Sequence, residues 1–246
     1  MKVVALISGG KDSCYNMMQC VADGHEIVAL AHMMPKKDEM DSYMYQSVGH
    51  EALNLYAEAM GLPLYQQEIE GAPLKQTLDY QQTSGDEVED LFNLLSKVKN
   101  SVDIEAVSVG AIFSDYQRLR VENVCKRLNL EVFSYLWHKN QEKLLQEIIT
   151  SGVHAIIIKV AALGLEPEVH LGMSLEEIYP HMIAMNKQYG LNICGEGGEF
   201  ESFTLDCPLF KKRLEIKEKE TIIHADNAFA PVGYLKFKKV ELCEKK

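Results

Sequence analysis

Ser8-Gly9-Gly10-Lys11-Asp12-Ser13 is the densest run of chemistry-bearing residues in the chain, and it directly follows the apolar stretch Val3-Val4-Ala5-Leu6-Ile7. Two adjacent glycines let the backbone approach an anion and present consecutive N–H groups, and a helix beginning near Ser13 adds its positive N-terminal end. A polyphosphate is the natural occupant. Lys11 can neutralise charge developing on it, Ser8 and Ser13 can donate hydroxyls to its oxygens, and Asp12 can hold a bridging magnesium ion. A bare Gly-Gly would read as an ordinary turn in which Ser8 or Asp12 caps the helix. All six residues together, at the carboxyl end of a first strand, favour phosphate.

Four further stretches concentrate polar groups: Asp41-Ser42-Tyr43-Met44-Tyr45, Gly85-Asp86-Glu87-Val88-Glu89-Asp90, Ser114-Asp115-Tyr116-Gln117-Arg118 with Arg120, and Gly195-Glu196-Gly197-Gly198-Glu199-Phe200-Glu201. Asp86, Glu87, Glu89 and Asp90 crowd one helix start, where the macrodipole favours carboxylates, so capping alone accounts for them. Asp86 and Glu87 come first and are site candidates, whereas Glu89 and Asp90 read as solvated. Arg118 and Arg120 face differently on a helix, so one can reach a phosphate while the other makes a surface or interdomain ion pair. Glu196, Glu199 and Glu201 flank a glycine pair that reads as a tight turn, and they are either ordinary loop glutamates or general-base candidates.

Ser8-Gly9-Gly10-Lys11-Asp12-Ser13 resembles the PP-loop signature of the N-type ATP pyrophosphatases; it is neither a Walker A loop nor a dinucleotide fingerprint. That resemblance implies a HUP-like domain that breaks ATP between its α and β phosphates, with the adenine held by backbone groups at the end of the second strand, about Leu30 and Ala31. With the four stretches above and Asp206-Cys207-Pro208-Leu209-Phe210, the chain is similar over nearly its whole length to the diphthine-ammonia ligases. The resemblance implies an enzyme that uses ATP and Mg2+ to activate the carboxylate of diphthine on elongation factor 2 as an acyl-adenylate, from which ammonia, drawn from ammonium in solution, displaces AMP. By the same resemblance Lys11, Asp12, Glu196 and Glu199 are catalytic, Ser8 to Ser13 with Leu30 and Ala31 bind the nucleotide, and Asp12 holds the metal. Tyr43, Tyr45, Asp86, Glu87, Tyr116 and Glu201 then face the substrate. The trimethylammonium of diphthine lacks a hydrogen-bond donor and suits aromatic faces near carboxylates. Tyr43, Tyr45, Tyr116, Phe200 and Phe203 lie near motifs, and each is equally a natural packing residue. Which glutamate acts as the base stays open.

These residues need a scaffold, and the hydrophobic pattern supplies one. Apolar runs Val3 to Ile7, Ile27 to Ala31, near Leu64, Ala106 to Val109 and Val132 to Tyr135 alternate with helix-period segments Ser13 to Ala22, Tyr45 to Met60, Glu87 to Val98 and Asp115 to Leu128. That rhythm predicts a parallel sheet covered by helices. From about His138 it changes to helices at Glu142 to Thr150 and Leu175 to Tyr189 around a strand Ala155 to Val160, followed by strand-like pieces at Phe203 to Leu205, Leu214 to Ile216, Thr221 to His224 and Gly233 to Val240. The expected organisation is an α/β, HUP-like ATP-binding domain over residues 1–135 and a smaller α+β domain for substrate and amidation over residues 136–246. The polar, lysine-bearing segment Met33 to Asp41 is a candidate lid.

Composition narrows the partners. Lys plus Arg number 25 against 36 Asp plus Glu, a formal net charge of -11 and the wrong sign for a chain that grips a nucleic-acid backbone. Lys211, Lys212, Arg213, Lys236, Lys238 and Lys239 read as solvated edge-strand charge. Six cysteines without CxxC pairing, and eight histidines without ligand spacing, point away from disulfides and structural zinc and toward the cytoplasm. No apolar run reaches spanning length, so no membrane is expected. The rival is a PP-loop transfer-RNA-modifying enzyme, a thiolase or lysidine-synthetase-like protein; its thiolases usually need paired cysteines and a basic surface, and neither feature is present. A nucleotide-sensing HUP module would lack the complete loop.

Overall fold

A computed structural model of the chain describes residues 1–35, 48–225 and 229–245. Val3, Val4 and Ala5 of β1 (Lys2–Leu6) are buried on both faces, as are Ala29, Leu30 and Ala31 of β2 (Glu26–Met34). A strand escapes water on both sides only within a sheet layered by helices. β3 (Leu64–Glu68), β4 (Ala106–Ser108) and β5 (Glu131–Phe133) complete that sheet, parallel throughout in the order β3-β2-β1-β4-β5. The intervening helices are α1 (Lys11–Ala22), α2 (Leu53–Met60), α3 (Glu87–Ser101) and α4 (Asp115–Leu128). On one face of the sheet, Val4, Ala29, Ala31, Met33 and Val107 share a core with Val88, Leu91 and Leu95 of α3 and Val121 and Val124 of α4.

The second sheet is antiparallel, β7-β6-β9-β8, built from β6 (His154–Val160), β7 (Phe200–Asp206), β8 (Lys212–Ala225) and β9 (Val232–Glu244). Helices α5 (Gln141–Thr150), α6 (Pro167–His170) and α7 (Leu175–Tyr189) accompany it, α7 opening on a capping box of Ser174 and Glu177 and closing at Gly190 with φ 74°. The fold is therefore α/β with a parallel sheet, plus a smaller antiparallel α+β part. Contacts divide the chain into two compact units that are not consecutive. One comprises Met1–Ser8, Tyr15–Ser47 and Leu62–Trp137, the other Gly9–Cys14, Val48–Gly61 and His138–Lys246.

Some elements differ from expectation. The helix expected over Tyr45 to Met60 begins only at Leu53, after a 3-10 turn at His50–Ala52 preceded by Gly49 at φ 82°; its first residues lie outside the described ones. The pieces Leu214 to Ile216 and Thr221 to His224 are one strand, β8, whose charged middle is paired across to β9. There Lys238 meets Glu220 at 2.7 Å and Lys239 meets Glu241 at 2.8 Å, while Lys212 meets Glu244 at 3.4 Å, which fits solvated sheet charge rather than a phosphate-binding patch. Asp90 is buried and Glu89 partly so, and both are held by the protein. Glu89 takes both guanidinium nitrogens of Arg127, at 3.0 and 2.7 Å, and the Tyr80 hydroxyl at 2.8 Å, while Asp90 accepts the N–H groups of Glu70 and Gly71.

Glu89 carries a testable sign. Burial pushes its carboxyl up, but Arg127 and Tyr80 outweigh burial and leave it below the ordinary carboxylate value. A depressed native value stabilises the fold above the unfolded value, and that contribution disappears as pH falls through the native one. Arg127→Met should therefore flatten the loss of stability on acidification from about pH 5 to pH 3, followed by urea unfolding across that range.

Candidate active site

The glycine loop is held from behind by β7. Gly9 has φ 87°, and a Cβ there would lie 2.8 Å from the Phe203 ring and 3.0 Å from Leu53, so only glycine fits. The Gly9 carbonyl accepts Thr204 N–H at 2.8 Å and Lys11 N–H donates to Ser202 Oγ at 3.2 Å. Ser13 turns its hydroxyl back to the Gly10 carbonyl at 3.0 Å. Lys11 is buried, with Nζ 2.8 Å from Asp12 Oδ2, 2.5 Å from the Cys194 carbonyl and 5.0 Å from the centre of the Phe200 ring. Burial alone would lower its pKa; the charges of Asp12 and Glu196 help to overcome that and leave it above the ordinary lysine value. Lys11 is thus a fixed cation bound into the protein.

Asp12 is the group with capacity to spare. Burial pushes its carboxyl up, Lys11 offsets this only in part, and Oδ1 is a buried oxygen with no hydrogen-bond partner among the described residues. A hard cation would relieve that oxygen. Among the described residues no group of three or more His, Cys, Asp or Glu is placed to hold a metal. A magnesium ion here would fit the usual pattern for that ion, one carboxylate with phosphate oxygens and water.

The glutamate turn is built in the same compact unit as Gly9–Cys14. Gly195 (φ 76°) and Gly198 (φ 85°) give it its left-handed corners, and a Cβ on Gly195 would strike Phe200 at 2.8 Å. Gly197 leaves open the space that the Glu199 carboxylate fills, its missing Cβ lying 2.8 Å from Oε1. Glu199 Oε1 accepts Asn192 N–H at 2.9 Å, and Oε2 is buried with no hydrogen-bond partner among the described residues. Lys11 joins the loop to this turn, its Nζ bonded to Asp12 and to the Cys194 carbonyl, and Asn192 ties Cys194 N–H to Glu196 N–H and to Glu199 Oε1. Burial pushes the Cys194 thiol up to about 12, and the thiol donates to the Gln141 carbonyl at 3.3 Å, which suits a packing role. Glu201 is differently occupied: Oε1 lies 3.4 Å from Lys159 Nζ and Oε2 accepts Val48 N–H at 3.3 Å.

A second cluster forms in the other unit. Asp86 caps α3, accepting Val88 N–H and Lys75 N–H at 3.0 Å each, and Glu87 beside it is fully buried. The Tyr116 hydroxyl is raised by burial and feels Arg120, Glu87 and Asp86. Arg120 corrects the expectation that one of the two arginines reaches a phosphate. It is fully buried, donates to the carbonyls of Lys75, Thr77 and Tyr116, and stacks its guanidinium 3.3 Å from the Tyr116 ring centre. Arg118 pairs with Glu122 and Asp115 on its own helix and lies over Trp137. One face of Tyr116 is thus already given to a cation of the protein, and Phe200 and Phe203 are core residues. Arg120→Ala should cost about 3 kcal/mol or more in urea unfolding, because three carbonyls lose a charged donor inside the fold.

Leu30 and Ala31 do not end their strand. Both sit midway along β2, paired to β1 and β3, with Leu30 N–H donating to Pro63 and the Ala31 carbonyl taken by Ile7. β2 runs on to Met34, beyond the end of β1, so the next backbone position on the β1 side is Met33. Tyr43, Tyr45 and most of the Met33 to Asp41 segment lie outside the described residues. Sequence reasoning missed Asn192, Ser202 and Gln141. The one available signal was Ser202 and Thr204 recurring at the core-facing positions of β7, where buried polar groups need a purpose.

A parallel sheet whose first strand ends in Ser-Gly-Gly-Lys-Asp-Ser at a helix start defines a nucleotide-binding protein of the PP-loop class. Two family models match, the diphthamide synthase N-terminal domain over residues 1–132 and the diphthamide synthase C-terminal domain over residues 140–241. The chain belongs to the diphthamide synthase family. It is 60% identical over 250 residues to the diphthine–ammonia ligase of Mus musculus, covering 100% of this chain and 94% of that protein. It is 59% identical to the enzyme of the same name from Danio rerio, covering 100% and 98%. Among solved structures it is similar to a predicted subunit of tRNA methyltransferase from Methanocaldococcus jannaschii, at 16% identity, TM-score 0.37, over 78% of this chain and 90% of that one.

Proposed function

We propose that the chain amidates diphthine with ammonium, using ATP, through an acyl-adenylate with release of pyrophosphate and AMP, and that the diphthine is carried by elongation factor 2. The observation that carries this reading is the hydrogen bond from Lys11 Nζ to the Cys194 carbonyl, which joins the glycine loop to the carboxylate-bearing turn held by Asn192 within one compact unit. Its relatives' names and the 60% identity over the whole chain support the same substrate.

The backbone of the glycine loop and the start of α1 bind the pyrophosphate portion, with Lys11 N–H spent on Ser202 Oγ, and Lys11 Nζ supplies a fixed positive charge beneath it. The backbone of Met33 takes the adenine edge in place of Leu30 and Ala31. Asp12 would hold Mg2+, which would supply charge neutralisation at the phosphates. Glu199 is the base of choice: one oxygen is anchored on Asn192 N–H and the other is buried with no hydrogen-bond partner among the described residues, a carboxylate set to take a proton as ammonia attacks. Glu196 adds negative charge that draws ammonium in. Asp86, Glu87 and Tyr116 are substrate-facing groups of their own unit, built around Arg120, and Glu201 supports the glutamate turn from Lys159. The protein acts in the cytoplasm; among the described residues no helix is long and apolar enough to cross a membrane.

The test is pyrophosphate and AMP release by the pure protein. Release should require diphthine-bearing elongation factor 2, and AMP should accumulate with product only when ammonium is also present. Turnover with transfer RNA and none with that protein would overturn the reading in favour of a PP-loop RNA modifier.

A further inference from the structure

We infer that Asn192 is a positioning residue for the ammonia-using half of the reaction, setting the pose of Glu196 and Glu199 without touching substrate; this rests on the proposed amidation. Its side chain and its backbone act on opposite ends of the turn. Asn192 Oδ1 accepts Cys194 N–H at 2.9 Å and, more weakly, Glu196 N–H at 3.4 Å, while Asn192 N–H donates to Glu199 Oε1 at 2.9 Å. One residue therefore ties both glutamates to one point. Gly195 and Gly198 take left-handed backbone in between, so the turn has no helical or sheet ladder of its own to hold it. Without the Asn192 acceptor, the Cys194 and Glu196 N–H groups lose their shared anchor.

The loop side of the site is insulated from that loss. Gln141 independently holds the preceding residues, its Oε1 accepting Ile193 N–H at 2.9 Å and its carbonyl taking the Cys194 thiol at 3.3 Å. The Cys194 carbonyl that binds Lys11 is carried by this second anchor. Losing the Asn192 side chain should consequently loosen Glu196, whose N–H uses Oδ1, while Glu199 keeps the backbone N–H and the phosphate-binding loop is spared.

Two variants of the full chain separate the possibilities: Asn192→Ala removes the acceptor, and Asn192→Asp keeps an oxygen at the same place. Each is assayed for diphthine-dependent ATP–pyrophosphate exchange, which reports adenylation, and for amide formation against ammonium concentration. Asn192→Ala should lower kcat/KM for ammonium by about tenfold or more, with exchange within about twofold of the unmodified chain, and Asn192→Asp should recover most of the ammonium dependence. Equal losses in exchange and amidation, an unchanged ammonium dependence, or an Asn192→Asp as impaired as Asn192→Ala would overturn the assignment. No diphthine-dependent exchange in the unmodified chain would instead overturn the proposed function, so the two failures are distinguishable.

Discussion

Gly9→Ala should abolish most ATP-dependent turnover, by about 100-fold or more, and destabilise the fold by about 3 kcal/mol. Two costs combine. The backbone at φ 87° is one that an L side chain rarely adopts, worth about 1–2 kcal/mol. The new Cβ would also meet the Phe203 ring at 2.8 Å and Leu53 at 3.0 Å. Neither neighbour can retreat, since both are fully buried and Phe203 packs edge-on to Tyr56 and Phe237 at 6.4 and 5.1 Å. The loop must move instead, taking with it the N–H groups meant for phosphate. Gly24→Ala is the matched control: its φ is 82°, none of the described residues lies within 4 Å of the added Cβ, and it should lose only about 1 kcal/mol with turnover intact. Urea unfolding and pyrophosphate release measure both. If the two variants behaved alike, the tight seat behind Gly9 would have no bearing on catalysis.

The parallel sheet was legible because each buried strand is an unbroken apolar run between helix-period segments, a pattern set by local burial alone. α4 matches its expected span because Ser114 caps one end and Asn129, at φ 52°, closes the other. β8 was split because Lys217 to Glu220 interrupts its apolar alternation, and the cross-strand partners that keep it extended belong to β9. Non-local partners also explain the misjudged carboxylates. Glu89 meets Arg127 from 38 residues away, and nothing at a helix start announces such a pairing. In the candidate site the loop and the glutamate turn were legible from glycine and charge density. Their association was not, because it runs through Lys11 to the Cys194 carbonyl, 183 residues apart, and through one unremarkable asparagine.

Glu199→Gln should divide the reaction in two, lowering amide formation by about 100- to 1000-fold while leaving diphthine-dependent pyrophosphate exchange within a few-fold. Glutamine has nearly the same volume and keeps a carbonyl oxygen for Asn192 N–H, so the turn and the Gly197 cavity it fills should survive. What it loses is the ability to accept a proton at the buried position of Oε2. Ammonium is the dominant species near neutral pH and cannot attack until it is deprotonated, which is the step a carboxylate assists. Hydroxylamine is largely neutral there and needs no such help. Supplying it in place of ammonium should restore much of the variant's turnover and yield a hydroxamate. Glu196→Gln should have a milder effect, chiefly a higher KM for ammonium, because its role is attraction rather than proton transfer. Full amidation by Glu199→Gln, or a parallel collapse of exchange, would remove Glu199 from the role of base; a larger loss in Glu196→Gln would transfer that role to Glu196.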